Sequence, residues 1–155
     1  MTPLFKKLNL KEQTEIVVIN APDSFEPELE GLSGIIIQRS LAAAKRVTFS
    51  LCFVTTQEEI NQIVDQLVAK IEGDATIWFA YPKGSSKKYK SEINRDKGWE
   101  VLGQHGCEPV RQVAIDQDWS ALRFRRVEFI KSMKRSQKMA LSQQGKAKSK
   151  NEIES

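Results

Sequence analysis

Three short polar segments hold the residue types from which a site could be built. Asn20, Asp23 and Ser24 close the first apolar run, Thr55 and Thr56 close a second, and Lys83-Gly84-Ser85-Ser86-Lys87-Lys88 follows a third. The lysine segment offers a flexible Gly, two hydroxyls and three ammonium groups, which suits an anion such as phosphate. Its spacing is not that of a P-loop, and a solvated loop of lysines is the competing reading. Asp116 and Asp118 are close enough to act as a carboxylate pair, yet Asp is also what a turn selects for side-chain to backbone bonds. Trp78 and Trp119 fit core packing, or stacking against a ring. The two cysteines, Cys52 and Cys107, form no C-x-x-C and the chain has one His, so zinc fingers, thioredoxin chemistry and disulfide scaffolds are excluded. Both thiols are expected to be buried. His105 is expected in the last turn of a helix ending at Gly106. No nucleophile, base and orienter occur as a set, so the expectation is no catalytic residue, no metal and no cofactor.

These segments need elements to place them. Residues 16–20 (IVVIN) read as a buried strand ended by Ala21-Pro22. Residues 35–37 and 48–54 are two further strands, apolar enough to be covered on both faces. Thr56 and Glu59 have capping-box spacing, and Ile60, Ile63, Val64, Leu67, Val68 and Ile71 continue at helical intervals before Gly73. Residues 75–81 are another buried strand, residues 83–91 a polar loop, and a second helix lies within residues 92–105. Residues 110–115 and 121–126 flank a polar turn and predict an antiparallel hairpin. In its second strand Leu122 and Phe124 alternate with Arg123 and Arg125, a charge row that would protect an exposed sheet edge.

The order of elements is α/β: a three-layer Rossmann-like sandwich with a mixed, mostly parallel sheet of about six strands ending in the hairpin. The link between the second and third strands is too short for a helical crossover, so that pair is antiparallel or joined by an abbreviated extended crossover. In such sheets ligands sit beyond the carboxyl ends of the strands, where strand order switches. That rule selects Asn20, Asp23, Ser24, Thr55, Lys83, Ser85 and Ser86 as the candidate ligand-binding residues. Thr56 is expected to be a helix cap.

With 155 residues the chain is sized for one domain, and 40% apolar with 28% charged residues excludes collagenous, wholly disordered and membrane-embedded classes. The net charge of +4 is unevenly placed: residues 131–155 hold seven Lys/Arg and two acids, residues 1–130 hold 17 and 18. The expectation is one α/β domain over 1–130 and a basic, mostly disordered tail over 131–155, read as a solubilising or processing-tolerant tail, with weak, non-specific nucleic-acid binding as the other reading. No apolar run approaches the roughly 18 residues of a membrane span, and the first ten lack a signal peptide's apolar core, so a cytoplasmic protein is expected.

Val17-Val18-Ile19-Asn20-Ala21-Pro22, Ile77-Trp78-Phe79-Ala80-Tyr81-Pro82-Lys83 and Asp116-Gln117-Asp118-Trp119-Ser120-Ala121-Leu122 together resemble an uncharacterised bacterial family of small α/β proteins, a domain-of-unknown-function family. Its members carry a strand ending in Asn-Ala-Pro, a strand ending in Trp/Tyr-Pro-Lys, and Asp-x-x-Trp-Ser-x-Leu. The resemblance covers roughly residues 8–126 and implies no activity or cofactor. Where that family often has Pro-Lys-Lys and Ser-Gly, this chain has Pro82-Lys83-Gly84-Ser85-Ser86. More distantly, the element order is similar to the second half of the Rossmann-like fold of S-adenosylmethionine-dependent methyltransferases. The glycines after the first strand and the acid after the second that such a cofactor site uses are not found here. The function expected first is therefore a non-enzymatic binding or interaction module. Its site at the strand ends is anion-compatible and would recognise an anionic small molecule or a protein partner. The alternative is a divergent methyltransferase-like enzyme binding a nucleotide-like cofactor.

Overall fold

Thr56 begins the 11-residue helix α3 (Gln57–Leu67) as the capping box predicts. Its hydroxyl accepts from the Glu59 N–H at 3.2 Å, and Glu59 Oε1 accepts from the Thr56 N–H at 3.1 Å. Two orphan donors of the first turn are thereby satisfied. Ile60, Ile63, Val64 and Leu67 form the buried stripe, and full burial of each stabilises by roughly 2 kcal/mol. The computed structural model, described here for residues 1–130, departs from the helical reading at Ile71. That residue opens strand β4 (Ile71–Pro82) because Val47 pairs with it and the Val47 N–H donates to the Lys70 carbonyl. Register then slips before Phe49 meets Thr76, and Gly73, at φ 60°, takes up the slack in a conformation that L side chains rarely adopt.

The remaining elements are α1 (Pro3–Lys7), β1 (Glu15–Ile19), a 3-10 turn at Asp23–Phe25, α2 (Glu26–Glu30), β2 (Ile36–Gln38) and β3 (Val47–Phe53). After β4 (Ile71–Pro82) come α4 (Glu100–Gln104), β5 (Cys107–Ala114), β6 (Trp119–Arg126) and a final 3-10 turn at Val127–Phe129. The six strands form one mixed sheet in the order β2-β1-β3-β4-β6-β5. β2, β1, β3 and β4 run parallel, and β6 and β5 are antiparallel to their neighbours. The open question about the second and third strands resolves simply: both lie parallel to β1, which sits between them, and residues 39–46 cross over it without a helix. β2 is an edge strand with Ile36 60% exposed, so the expectation that it is covered on both faces is corrected.

The charge row needs the same correction. β6 does not form an edge; it lies between β4 and β5, with Ile77 opposite Phe124 and Phe79 opposite Leu122. Its apolar residues earn that central place, while β5 carries Pro109 at a register shift and goes to the rim, where a missing ladder donor is tolerated.

Each face of the sheet is covered. Val17, Cys52, Ile77, Phe79, Tyr81, Leu122 and Phe124 pack with α3 and with Trp99 and Leu102 near α4. Ile16, Val18, Phe49, Leu51, Phe53, Trp78 and Trp119 pack with Phe5, Leu8, Phe25 and Leu29. The three layers of the Rossmann-like sandwich follow. The buried Trp78 indole donates to the Leu8 carbonyl at 2.7 Å, tying the segment after α1 to the sheet. The expected basic tail, 131–155, lies outside the described residues. Among those described, no helix is long and apolar enough to cross a membrane.

Candidate functional site

Chain order reverses between β1, which leads to β2 on one side, and β3, which leads to β4 on the other. Open α/β sheets form a crevice at the carboxyl ends of two such strands. Asn20 turns the chain out of β1 with φ 58°, a left-handed conformation that Asn tolerates better than other non-Gly residues. Buried Phe25 anchors the following 3-10 turn against Phe53, at 5.0 Å between centroids, which leaves Asp23 and Ser24 exposed on the rim. From β3, Thr55 enters with both its N–H and its hydroxyl donating to Glu59 Oε1, at 2.9 and 3.0 Å. The capping carboxylate of α3 is thereby also drawn to the end of the strand.

The loop after β4 is tied to the β5–β6 turn. Lys83 N–H donates to the Asp118 carbonyl at 2.7 Å, and the Ser86 hydroxyl donates to Asp118 Oδ1 at 2.8 Å. Ser86 Oγ in turn accepts from Tyr89 N–H at 3.2 Å, and the Tyr89 ring lies against Trp119 with centroids 4.9 Å apart. Trp119 meets Phe53 edge-on at 5.1 Å. The result is a cavity of about 510 Å³ lined by Asn20, Ala21, Pro22, Asp23, Ser24, Phe53, Thr55, Glu59, Lys88, Tyr89 and Trp119.

Of the residues selected from the sequence, Asn20, Asp23, Ser24 and Thr55 are thus brought together. Lys83, Ser85 and Ser86 are not part of the lining: Lys83 is held through its backbone, Ser85 is exposed, and Ser86 shapes the loop. Tyr89 and Glu59 were missed, and Lys88, read as part of the lysine segment, was not among the residues selected. Of the two missed, Glu59 carried a usable signal, because the third residue of a capping box reaches back toward the strand end. Asp116 serves the turn, its Oδ1 accepting from the Asp118 and Trp119 N–H groups at 2.8 Å each.

Two acids, Asp23 and Glu59, and one lysine, Lys88, line the cavity. The Trp119 indole N–H is buried and has no partner among the described residues. Elsewhere, burial pushes Cys52 up to about 12 and Cys107 up to about 11, which makes both thiols inert at neutral pH. Among the described residues no cluster of His, Cys, Asp or Glu could hold a metal ion.

Solved structures share this architecture. The ribosomal protein L11 methylase of Lactobacillus delbrueckii subsp. bulgaricus aligns with 79% of this chain and 76% of its own, at 12% identity and a TM-score of 0.52. A SAM-dependent methyltransferase from Aquifex aeolicus aligns with 80% of this chain and 88% of its own, at 13% identity and a TM-score of 0.50. The fold is Rossmann-like, with methyltransferase topology. No family model matches the chain, and no curated protein matches it. The likeness to these two proteins overturns the function expected first, a non-enzymatic module, and the methyltransferase-like alternative is the reading carried forward.

Proposed function

We propose that the cavity at the switch point takes a nucleoside-type small molecule and that the protein is a divergent methyltransferase-like enzyme. The observation that carries the reading is the pairing of a ring wall, Trp119 and Tyr89, with the carboxylates Asp23 and Glu59 in one cavity of about 510 Å³. An aromatic base stacks on such a wall, and carboxylates accept from ribose hydroxyls or balance a cation.

The site disfavours phosphates. A pyrophosphate is held by successive backbone N–H groups in a glycine-rich turn. Here Asn20-Ala21-Pro22 contains no Gly, and Pro22 has no N–H to give. Two acids against one lysine also repel a polyanion, so the anion-compatible site expected from the lysine loop gives way to one suited to a neutral or cationic ligand. S-adenosylmethionine fits: it has an adenine ring, ribose hydroxyls, a sulfonium cation and no phosphate, and when bound it supplies a methyl group. Asn20, Ser24 and Thr55 would orient its polar groups, and the Trp119 indole in the wall is a fluorescent reporter of binding.

Thermal melting of the full chain tests this. With S-adenosylmethionine or its demethylated product at 100 times Kd, stabilisation is about 2.7 kcal/mol, whereas ATP and NAD leave the transition where it is. A shift with ATP or NAD and none with the sulfonium compound would overturn the reading.

A further inference from the structure

The arginines of β6 stand outside the site just described. Arg123 and Arg125 are two residues apart on one strand and so share a face of the sheet, and Arg111 on β5 is the cross-strand partner of Arg123. Such partners lie roughly 5 Å apart at Cα. Two carboxylates also belong to this region. Asp74 takes the Arg125 guanidinium in a fork, with contacts of 2.9 Å to Nε and 2.6 Å to Nη2, and buried Glu108 is the cross-strand partner of Arg125. Arg111 and Arg123 make no ion pair among the described residues, and Arg123 Nε is buried without a hydrogen-bond partner. We propose that Arg111 and Arg123 form a two-guanidinium clamp for a phosphate group.

The arrangement has the chemistry of such a clamp. A guanidinium presents its donors as a planar fork that matches a phosphate bidentately, and two forks side by side match a tetrahedral anion better than one carboxylate. Arg123 is held below the usual arginine range, first by burial and then by the charge of Arg125, with Arg111 adding to it, while Asp74 acts in the opposite direction. An anion between Arg111 and Arg123 would relieve that repulsion and give the buried Nε–H its acceptor. Arg111 is exposed, so the clamp opens to solvent. The phosphate could belong to a polynucleotide backbone or be free, and the two sources behave differently in salt. Binding of a polynucleotide falls linearly in log salt through counterion release, with a slope set by the number of phosphates neutralised.

The full chain is titrated, in low salt, against a fluorescently labelled single-stranded RNA of about a dozen nucleotides, and separately against inorganic phosphate by calorimetry. Arg111→Gln should weaken whichever ligand binds by about tenfold, the loss expected for a charge-assisted contact. Arg111→Lys, which keeps the charge but loses the fork, should recover only part of that loss. RNA binding that needs Arg111 identifies a polynucleotide source, and phosphate binding that needs it without RNA binding identifies a free one. Because Arg111 is exposed, its variant should melt with the wild type. If a variant alters the transition, Arg123→Lys gives a second reading. The proposal is overturned if neither ligand binds. It is equally overturned if Arg111→Gln binds as the wild type does while Lys146→Gln, Lys148→Gln and Lys150→Gln together abolish RNA binding, since the charge at work would then be that of residues 131–155.

Discussion

Glu59 does two tasks, and its replacement separates them. Its Oε1 accepts from the Thr55 N–H at 2.9 Å, the Thr55 hydroxyl at 3.0 Å and the Thr56 N–H at 3.1 Å. Glu59→Ala leaves two backbone donors and a hydroxyl to find water. A hydrogen bond to a charged group is worth about 1.5–3 kcal/mol, and partial exposure here favours the low end, because water replaces part of what is lost. The Thr56 hydroxyl still accepts from the N–H of residue 59, so that half of the cap survives and the expected loss is about 2 kcal/mol. For a domain of this size that corresponds to a fall in Tm of roughly 4–8 °C. Glu59→Gln keeps an acceptor and removes only the charge beside the N-terminus of α3, so about 1 kcal/mol should go. The assay is thermal and urea unfolding of both variants, paired with S-adenosylmethionine titration. Gln at 59 should cost more in ligand affinity than in stability, since the acid lines the cavity. If Glu59→Ala stays within about 0.5 kcal/mol of the wild type, or if Gln is as damaging as Ala, the account of the cap is wrong.

The Arg125 fork holds the Asp74 carboxyl below its ordinary value of 3.8, so the pair stabilises the fold above that pH and the contribution is lost as Asp74 is protonated. Arg125→Gln should be less stable than the wild type at pH 7, with the gap closing below about pH 4 in urea melts; a constant gap would refute the linkage. Cys52 and Cys107 should react with a disulfide reagent at pH 8 only after unfolding, and because their folded values of about 12 and 11 exceed the ordinary 9.0, stability should decline as the pH rises above 9. At position 20, Gly should be as stable as Asn and Ala less stable by about 1 kcal/mol in chemical denaturation, because φ there is 58°; an Ala variant as stable as the Gly variant would show that the turn relaxes.

Much of the fold was legible wherever a local pattern coincided with a tertiary contact. The capping box and the i, i+3, i+4 stripe specify α3 by themselves, and the apolar runs of β1, β3 and β4 mark covered strands. Ile71 kept the helical phase but was claimed by Val47, since strand pairing outweighs one more turn of propensity. The five-residue α1 spans little more than one turn, too short for an apolar stripe to repeat, and could not be read. Alternation shows which side of β6 is apolar but not which strand lies beside it, hence the error over the edge. For the site, the strand-end rule found Asn20, Asp23, Ser24 and Thr55. It could not say which lysine of the loop turns toward them, because that depends on the bond from Ser86 to Asp118, 32 residues away.

Strand β4 alternates between the two apolar clusters, sending Ile77, Phe79 and Tyr81 to one and Trp78 and Ala80 to the other. Neither side of the molecule can therefore come apart while the other keeps its packing, since each uses the same backbone. The two halves should melt as one cooperative unit, with coincident transitions by tryptophan fluorescence and by circular dichroism. In native-state hydrogen exchange the slowest amides should be those of residues 77–81, opening only with the whole fold. The loop at residues 83–91 should exchange through small local openings, free to admit a ligand without loosening the sheet beneath it.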